Sequence, residues 1–293
     1  MQDDHLLIFG IGYSAHAFAR RAAHRFGSIT GTVRSPEKAA RLRAEGIDAL
    51  VFDGVEAADE VRAALGRATH LVQSIAPDAA GDPALRAFGP DLRLSRALRW
   101  IGYLSTVGVY GDHGGDWVDE ATPPRAVSER SRNRVAAEAA WQQLGAEIDV
   151  PVALLRLAGI YGPGRNTFVN LAEGSARRLV KPGQVFNRIH VDDIAAVIEA
   201  AAEQRASGVF NVTDDEPAPP QDVVAYAADL AGYPPLPDIP FESASLSPMA
   251  RSFYGENKRV SNARLSRDLN VRLAYPTYRD ALAALWTTGT WRG

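Results

Sequence analysis

The spacing of hydrophobic and polar positions changes repeatedly along the chain. Short apolar runs alternate with stretches in which apolar residues recur every three or four positions. The runs "HLLIF" (5–9), "SITGTV" (28–33), "DALVF" (48–52), "HLVQS" (70–74), "WIGYLS" (100–105), "VALLRL" (152–157) and "GVFNV" (208–212) predict strands. The helical spacing predicts helices over 13–26, 36–45, 56–66, 83–96, 128–148, 191–203 and 219–231. This alternation predicts parallel strands joined by right-handed crossovers, an α/β doubly wound Rossmann sheet. After residue 160 the pattern loosens, and from 214 it is rich in proline. Residues 1–165 with 191–213 are therefore expected to form the dinucleotide-binding domain. Residues 166–190 and 214–293 are expected to form a smaller C-terminal α/β substrate lobe over the open end of the sheet.

Composition narrows the function classes. The 293 residues are 46% hydrophobic and 23% charged, as in an ordinary globular chain. Thirty-two basic against 35 acidic residues give a net charge of −3, with no bulk drive toward nucleic acid or an anionic membrane. The chain has no cysteine, which excludes disulfides, thiolate metal sites and cysteine nucleophiles. The first apolar run is too short for a signal or a membrane span and leads directly into a motif. A cytoplasmic protein is the expectation.

That motif is "LLIFGIGYSAHAFAR", with Gly10, Gly12 and Ala15 in a G-x-G-x-x-A pattern between a strand and a helix. The first glycine permits a tight turn and the second lets a pyrophosphate approach the backbone. The small third residue lets helix and strand pack, and the phosphate rests on the helix N-terminus. The second strand lacks the acid that would hold a ribose 2′-hydroxyl and ends instead in Thr32, Arg34 and Ser35. A guanidinium can grip a 2′-phosphate, so NADP is expected over NAD, unless Arg34 is only a solvated charge at a helix start. Asp53, after the third strand, could accept from an adenine amino group or serve as a turn residue.

Together "GIGYSA", "GYLSTVGVYG", "LLRLAGIYGPGR" and "RIHVDDIA", in this order, resemble the extended short-chain dehydrogenase/reductase superfamily. The resemblance is to its NAD-dependent epimerase/dehydratase group, most of all to YeeZ-like atypical members of unsettled function. It implies a small-molecule substrate between two lobes, and often dimerisation through helices of the sheet domain. By resemblance, Ser105 and Thr106 match the catalytic hydroxyl, and Arg165 in "YGPGR" would reach toward substrate near the nicotinamide. His190 and Asp192 lie where the chain returns to the sheet, a place where a histidine is usually packed rather than catalytic.

The family's helix after the serine strand usually runs Tyr, three residues, Lys, three residues, Glu. Fitting Glu138 to that glutamate puts Arg134 at the lysine and Arg130 at the tyrosine. Helical spacing groups both arginines with Ala137, Trp141 and Leu144, facing the protein, and leaves Arg132 outside. Arginine gives up no proton at neutral pH, its pKa being above about 12. Arg134 could still hold ribose hydroxyls, and Arg130 an anionic substrate group. Alternatively, Glu138 pairs with Arg134 while Asp116, Asp119 or Glu120 pairs with Arg130. Tyr254-x-x-x-Lys258 has the dyad spacing but reads as extended chain, where i and i+4 stand about 13 Å apart. Tyr110 is the better-placed acid, with Tyr161 behind it. The expectation is an NADP-dependent oxidoreductase or isomerase acting on a small anionic substrate. The competing reading is a non-catalytic dinucleotide-binding redox sensor or regulatory protein.

Overall fold

The computed structural model describes residues 3–293. Seven strands form its main sheet: β1 (His5–Phe9), β2 (Ser28–Val33), β3 (Asp48–Val51), β4 (His70–Gln73), β5 (Trp100–Thr106), β6 (Val152–Leu157) and β7 (Gly208–Val212). All pairs are parallel, in the order β7-β6-β5-β4-β1-β2-β3. Helices cover both faces, which is why these strands read as near-continuous apolar runs. Successive residues of β1 serve opposite faces. Leu6 and Ile8 join Phe18, Ile194 and Ile198, whereas Leu7 and Phe9 join Phe88, Tyr103 and Trp141.

The crossover helices are α1 (Tyr13–Ala22), α2 (Pro36–Ala44), α3 (Asp59–Arg67), α4 (Pro83–Leu94) and α5 (Glu129–Ile148). Ser35, Asp82 and Ser128 cap α2, α4 and α5 with their side chains, and Pro36 and Pro83 open the first two of these helices. Helix α3 begins three residues later than its sequence pattern predicts. The Asp53 carboxylate holds the N–H groups of Val55 and Glu56, at 2.8 and 3.4 Å, and keeps that segment in a turn.

A separate apolar cluster forms beyond the sheet from Tyr161, Phe168, Leu171, Val223, Tyr278 and Leu282, among others. Not all of 214–293 belongs with it. The helix Ala263–Leu269 packs Leu265 and Leu269 into the main core with Phe210 and Val212. Two short parallel pairs tie in the rest: Gly159–Tyr161 with Arg188–His190, and Trp117–Val118 with Arg259–Val260. Among the described residues no helix is long and apolar enough to cross a membrane.

Candidate functional site

The strand order reverses between β1 and β4, and the crevice at their carboxyl ends is where such sheets bind ligands. Gly10 turns there at φ +85°, against Ile75, where a side chain would be both strained and crowded. Gly12 is the N-cap of α1; no side chain caps that end, and a Cβ at Gly12 would meet nothing within 4 Å. Ala15 is fully buried. The first N–H groups of a ten-residue helix therefore face open space, as a pyrophosphate requires. These residues fit a dinucleotide.

The second strand contributes less directly than its sequence suggests. Thr32 is completely buried, and its hydroxyl accepts from the Gly10 N–H at 2.9 Å. It braces the glycine turn and does not present itself to a ligand. Ser35 accepts from the Lys38 N–H at 3.3 Å as the cap of α2, and Lys38 Nζ donates to the Ile11 carbonyl at 2.7 Å. Arg34 is exposed and bonds to none of the described residues. Asp53 is exposed, with one oxygen spent on its turn.

On the α5 side of the sheet a polar row crosses three strands. Register sets Ser105 of β5 beside Arg156 of β6, and Arg156 beside Asn211 of β7. Glu138 descends on them from α5. Its Oε1 accepts from the Ser105 hydroxyl at 2.5 Å and from Arg156 Nε at 3.0 Å, and its Oε2 accepts from Arg156 Nη2 at 2.7 Å. The Tyr110 hydroxyl donates to Asn211 Oδ1 at 2.8 Å, with the Arg156 guanidinium 4.8 Å from its ring. All five side chains are at most 4% exposed. This corrects the expectation for Tyr110. Its proton is committed inside the core, no open face remains for a substrate, and burial pushes its pKa up. Ser105 is likewise committed to Glu138. The neighbouring Thr106 is half-buried at the strand end, where its oxygen accepts from the Gly108 N–H at 3.1 Å.

Arg130 and Arg134 of α5 are not paired with acids among the described residues. Arg134 Nη1 donates to the Leu104 carbonyl at 2.7 Å and to the Tyr103 hydroxyl oxygen at 3.1 Å, holding the end of β5. Glu138, its expected partner, is taken by Arg156. Arg130 is exposed, with its guanidinium 5.0 Å from the Phe253 ring centroid and no acid partner among the described residues. Of the acids expected for it, Asp119 caps its own turn and Glu120 accepts from the Asn211 N–H at 2.9 Å.

A family model described as "NAD dependent epimerase/dehydratase family" matches residues 92–213, the span that carries this row and both arginines. In that span the chain is similar to the NAD-dependent epimerase/dehydratase family. A solved structure of a conserved protein of unknown function from Silicibacter pomeroyi DSS is 49% identical to this chain. It superposes with a TM-score of 0.88 over 98% of this chain and 99% of that one. A human epimerase family protein solved with NADPH is 16% identical, with a TM-score of 0.70 over 96% and 98%, and shares the fold. A Streptomyces 3-diazoavenalumate denitrifying reductase is 30% identical over 159 residues; the match spans about half of each chain, 50% of this one and 51% of that one.

The remaining candidates fall outside a dyad. Tyr254 ends a short helix and stacks on Phe241, while Lys258 is buried on the Gly111 carbonyl at 2.6 Å and Glu256 at 2.7 Å. His190 is 1% exposed, accepts from the Asp192 N–H at 3.2 Å and lies between the rings of Tyr161 and Tyr275. It is a packed histidine whose pKa burial pushes down. Tyr161 is itself buried, and its pKa is raised by that burial. The Arg165 guanidinium lies 5.9 Å from the ring of Tyr13, the first residue of α1. The Tyr13 hydroxyl donates to the Pro163 carbonyl at 2.8 Å. Arg165 thus borders the N-terminus of α1.

The Glu138–Arg156 pair was missed by sequence reasoning. Its signal was present: a lone arginine inside the apolar run "VALLRL" needs a buried acid, and Glu138 lies on the helix that packs over that strand.

Proposed function

We propose that the protein is an NADP-dependent reductase of a small anionic substrate. The observation that carries this reading is that Arg130 and Arg134, which the resemblance sets at the positions of the family's acid and its activator, have no acid partner among the described residues. Two guanidiniums one turn apart repel each other, and an anion between them relieves that. Arg34, free at the end of β2, would take the 2′-phosphate, the uncapped N-terminus of α1 the pyrophosphate, and Arg165 its outer side. A bound dinucleotide would supply the hydride.

Thr106 is the hydroxyl left to orient the reacting group, because Ser105 is committed to Glu138. Neither arginine gives up a proton, and the tyrosines Tyr103, Tyr110 and Tyr161 are buried. The acceptor therefore takes its proton from water or needs none. Reduction of a diazonium is of the second kind, since hydride addition with loss of N2 consumes no proton. The name of the Streptomyces relative pairs a reductase with a diazo carboxylate.

The test is a screen of NADPH and NADH oxidation against carbonyl and diazonium compounds, each with and without a carboxylate. The reading expects NADPH to be preferred and the carboxylates to be the better acceptors. Tight NADPH binding with no turnover on any compound would instead favour a non-catalytic sensor.

A further inference from the structure

We propose that the cleft takes a flat aromatic carboxylate, with its carboxylate on Arg130 and its ring against Phe253. This rests on the reductase reading above and names its substrate class. Arg130 lies in the first turn of α5, on the sheet domain. Phe253 ends the helix Pro248–Phe253, in the C-terminal part of the chain. The guanidinium sits 5.0 Å from the Phe253 ring centroid, and Phe253 remains 46% exposed. Stacking occupies one face of the guanidinium and leaves its in-plane N–H fork, the edge that matches a carboxylate bidentately. No described residue takes that fork. An exposed phenyl ring beside an unused fork presents a cation and an apolar plane together, and an aryl carboxylate complements both.

The wall behind Phe253 has the same character. Phe241 stacks on Tyr254 with centroids 4.8 Å apart, and Lys181 and Arg251 lie 5.4 and 5.0 Å from the Phe241 ring. Neither cation forms an ion pair among the described residues. Glu256 is taken by Lys258, and Glu242 stands exposed without pairing with them. The wall is thus aromatic and positive, which suits a ring with a negative end and disfavours a cation. A diphosphate would find the charge here but would leave the rings unused.

The protein saturated with NADP+ is titrated calorimetrically with trans-cinnamate, cinnamyl alcohol, hexanoate and UDP, so that binding is read without turnover. Cinnamate is expected to bind at least about tenfold more tightly than the alcohol or hexanoate, and more tightly than UDP. Arg130→Gln should weaken cinnamate about tenfold and leave NADP+ unchanged. Phe253→Leu should weaken cinnamate about three- to fivefold and leave hexanoate unchanged. Both side chains are exposed, and unchanged melting temperatures would show the variants folded. Equal binding of alcohol and acid, tighter binding of UDP, or cinnamate affinity indifferent to both substitutions overturns the proposal. Cinnamate binding as expected, with no NADPH oxidation by any acceptor, would sink the reductase reading alone; oxidation of NADPH by compounds that ignore Arg130 and Phe253 would sink this inference alone.

Discussion

Two groups of arginine-centred polar residues contrast in this chain, one closed in the core and one open. Inside, Arg156 is paired: Glu138 takes its Nε and Nη2 donors, Ser105 joins the carboxylate, the Tyr110 ring lies against the guanidinium, and Nη1 alone is left buried without a partner among the described residues. Outside, Arg130, Arg34 and Arg165 have no acid partner among the described residues, and Arg134 donates to a carbonyl and a tyrosine oxygen. A buried guanidinium must be paired or the fold suffers, whereas an exposed one can wait for a ligand. Ser105 and Tyr110 both belong to the closed group, and on the proposed reading ligand binding is left to the open one.

The comparison breaks most visibly at Glu138. Glu138→Ala should cost about 3–5 kcal/mol of stability, because it strands Arg156 in the core; urea denaturation would read it, and a loss below about 1 kcal/mol would mean that the pair is not buried as described. Next comes Arg34→Ala, which should weaken NADPH about 10- to 100-fold and leave NADH nearly unchanged, as expected for loss of charge-assisted bonds to a 2′-phosphate. Equal affinities for the two cofactors in the unsubstituted protein would remove Arg34 from the site. Arg165→Ala should weaken both cofactors alike by about three- to tenfold, since the pyrophosphate is common to them; an effect on substrate affinity alone would return Arg165 to the substrate. The smallest change is expected for Tyr110→Phe, about 1 kcal/mol from one buried hydrogen bond, with turnover unaltered.

Most of the sheet was legible in the sequence because its strands, apart from the edge strand β3, are largely buried on both faces and bounded by turn residues. β1, β2, β6 and β7 have the limits their apolar runs suggest. The glycine turn was legible because Gly10 needs a positive φ and Gly12 needs space in front of it. What the sequence hid was direction. Thr32 lies inside β2 and braces the glycine turn, whereas Arg34 lies one residue beyond the end of the strand and is exposed to solvent. Spacing placed Arg130, Arg134 and Glu138 on one helix face but could not show that Glu138 reaches across to Arg156. The position of Arg165 depends on how the loop after Tyr161 folds over Tyr13, a contact between residues some 150 positions apart. Leu265 and Leu269 packed with the sheet for a similar reason, through a long-range contact that composition does not encode.

The most direct test sets one residue from each group against the other on the best acceptor found. Initial rates of NADPH oxidation are measured for the unsubstituted protein, Tyr110→Phe and Arg130→Gln. Tyr110→Phe is expected to keep its kcat, and Arg130→Gln to lose about tenfold or more in kcat/KM, mainly through KM. Loss of kcat in Tyr110→Phe, with Arg130→Gln unaffected, would contradict the account.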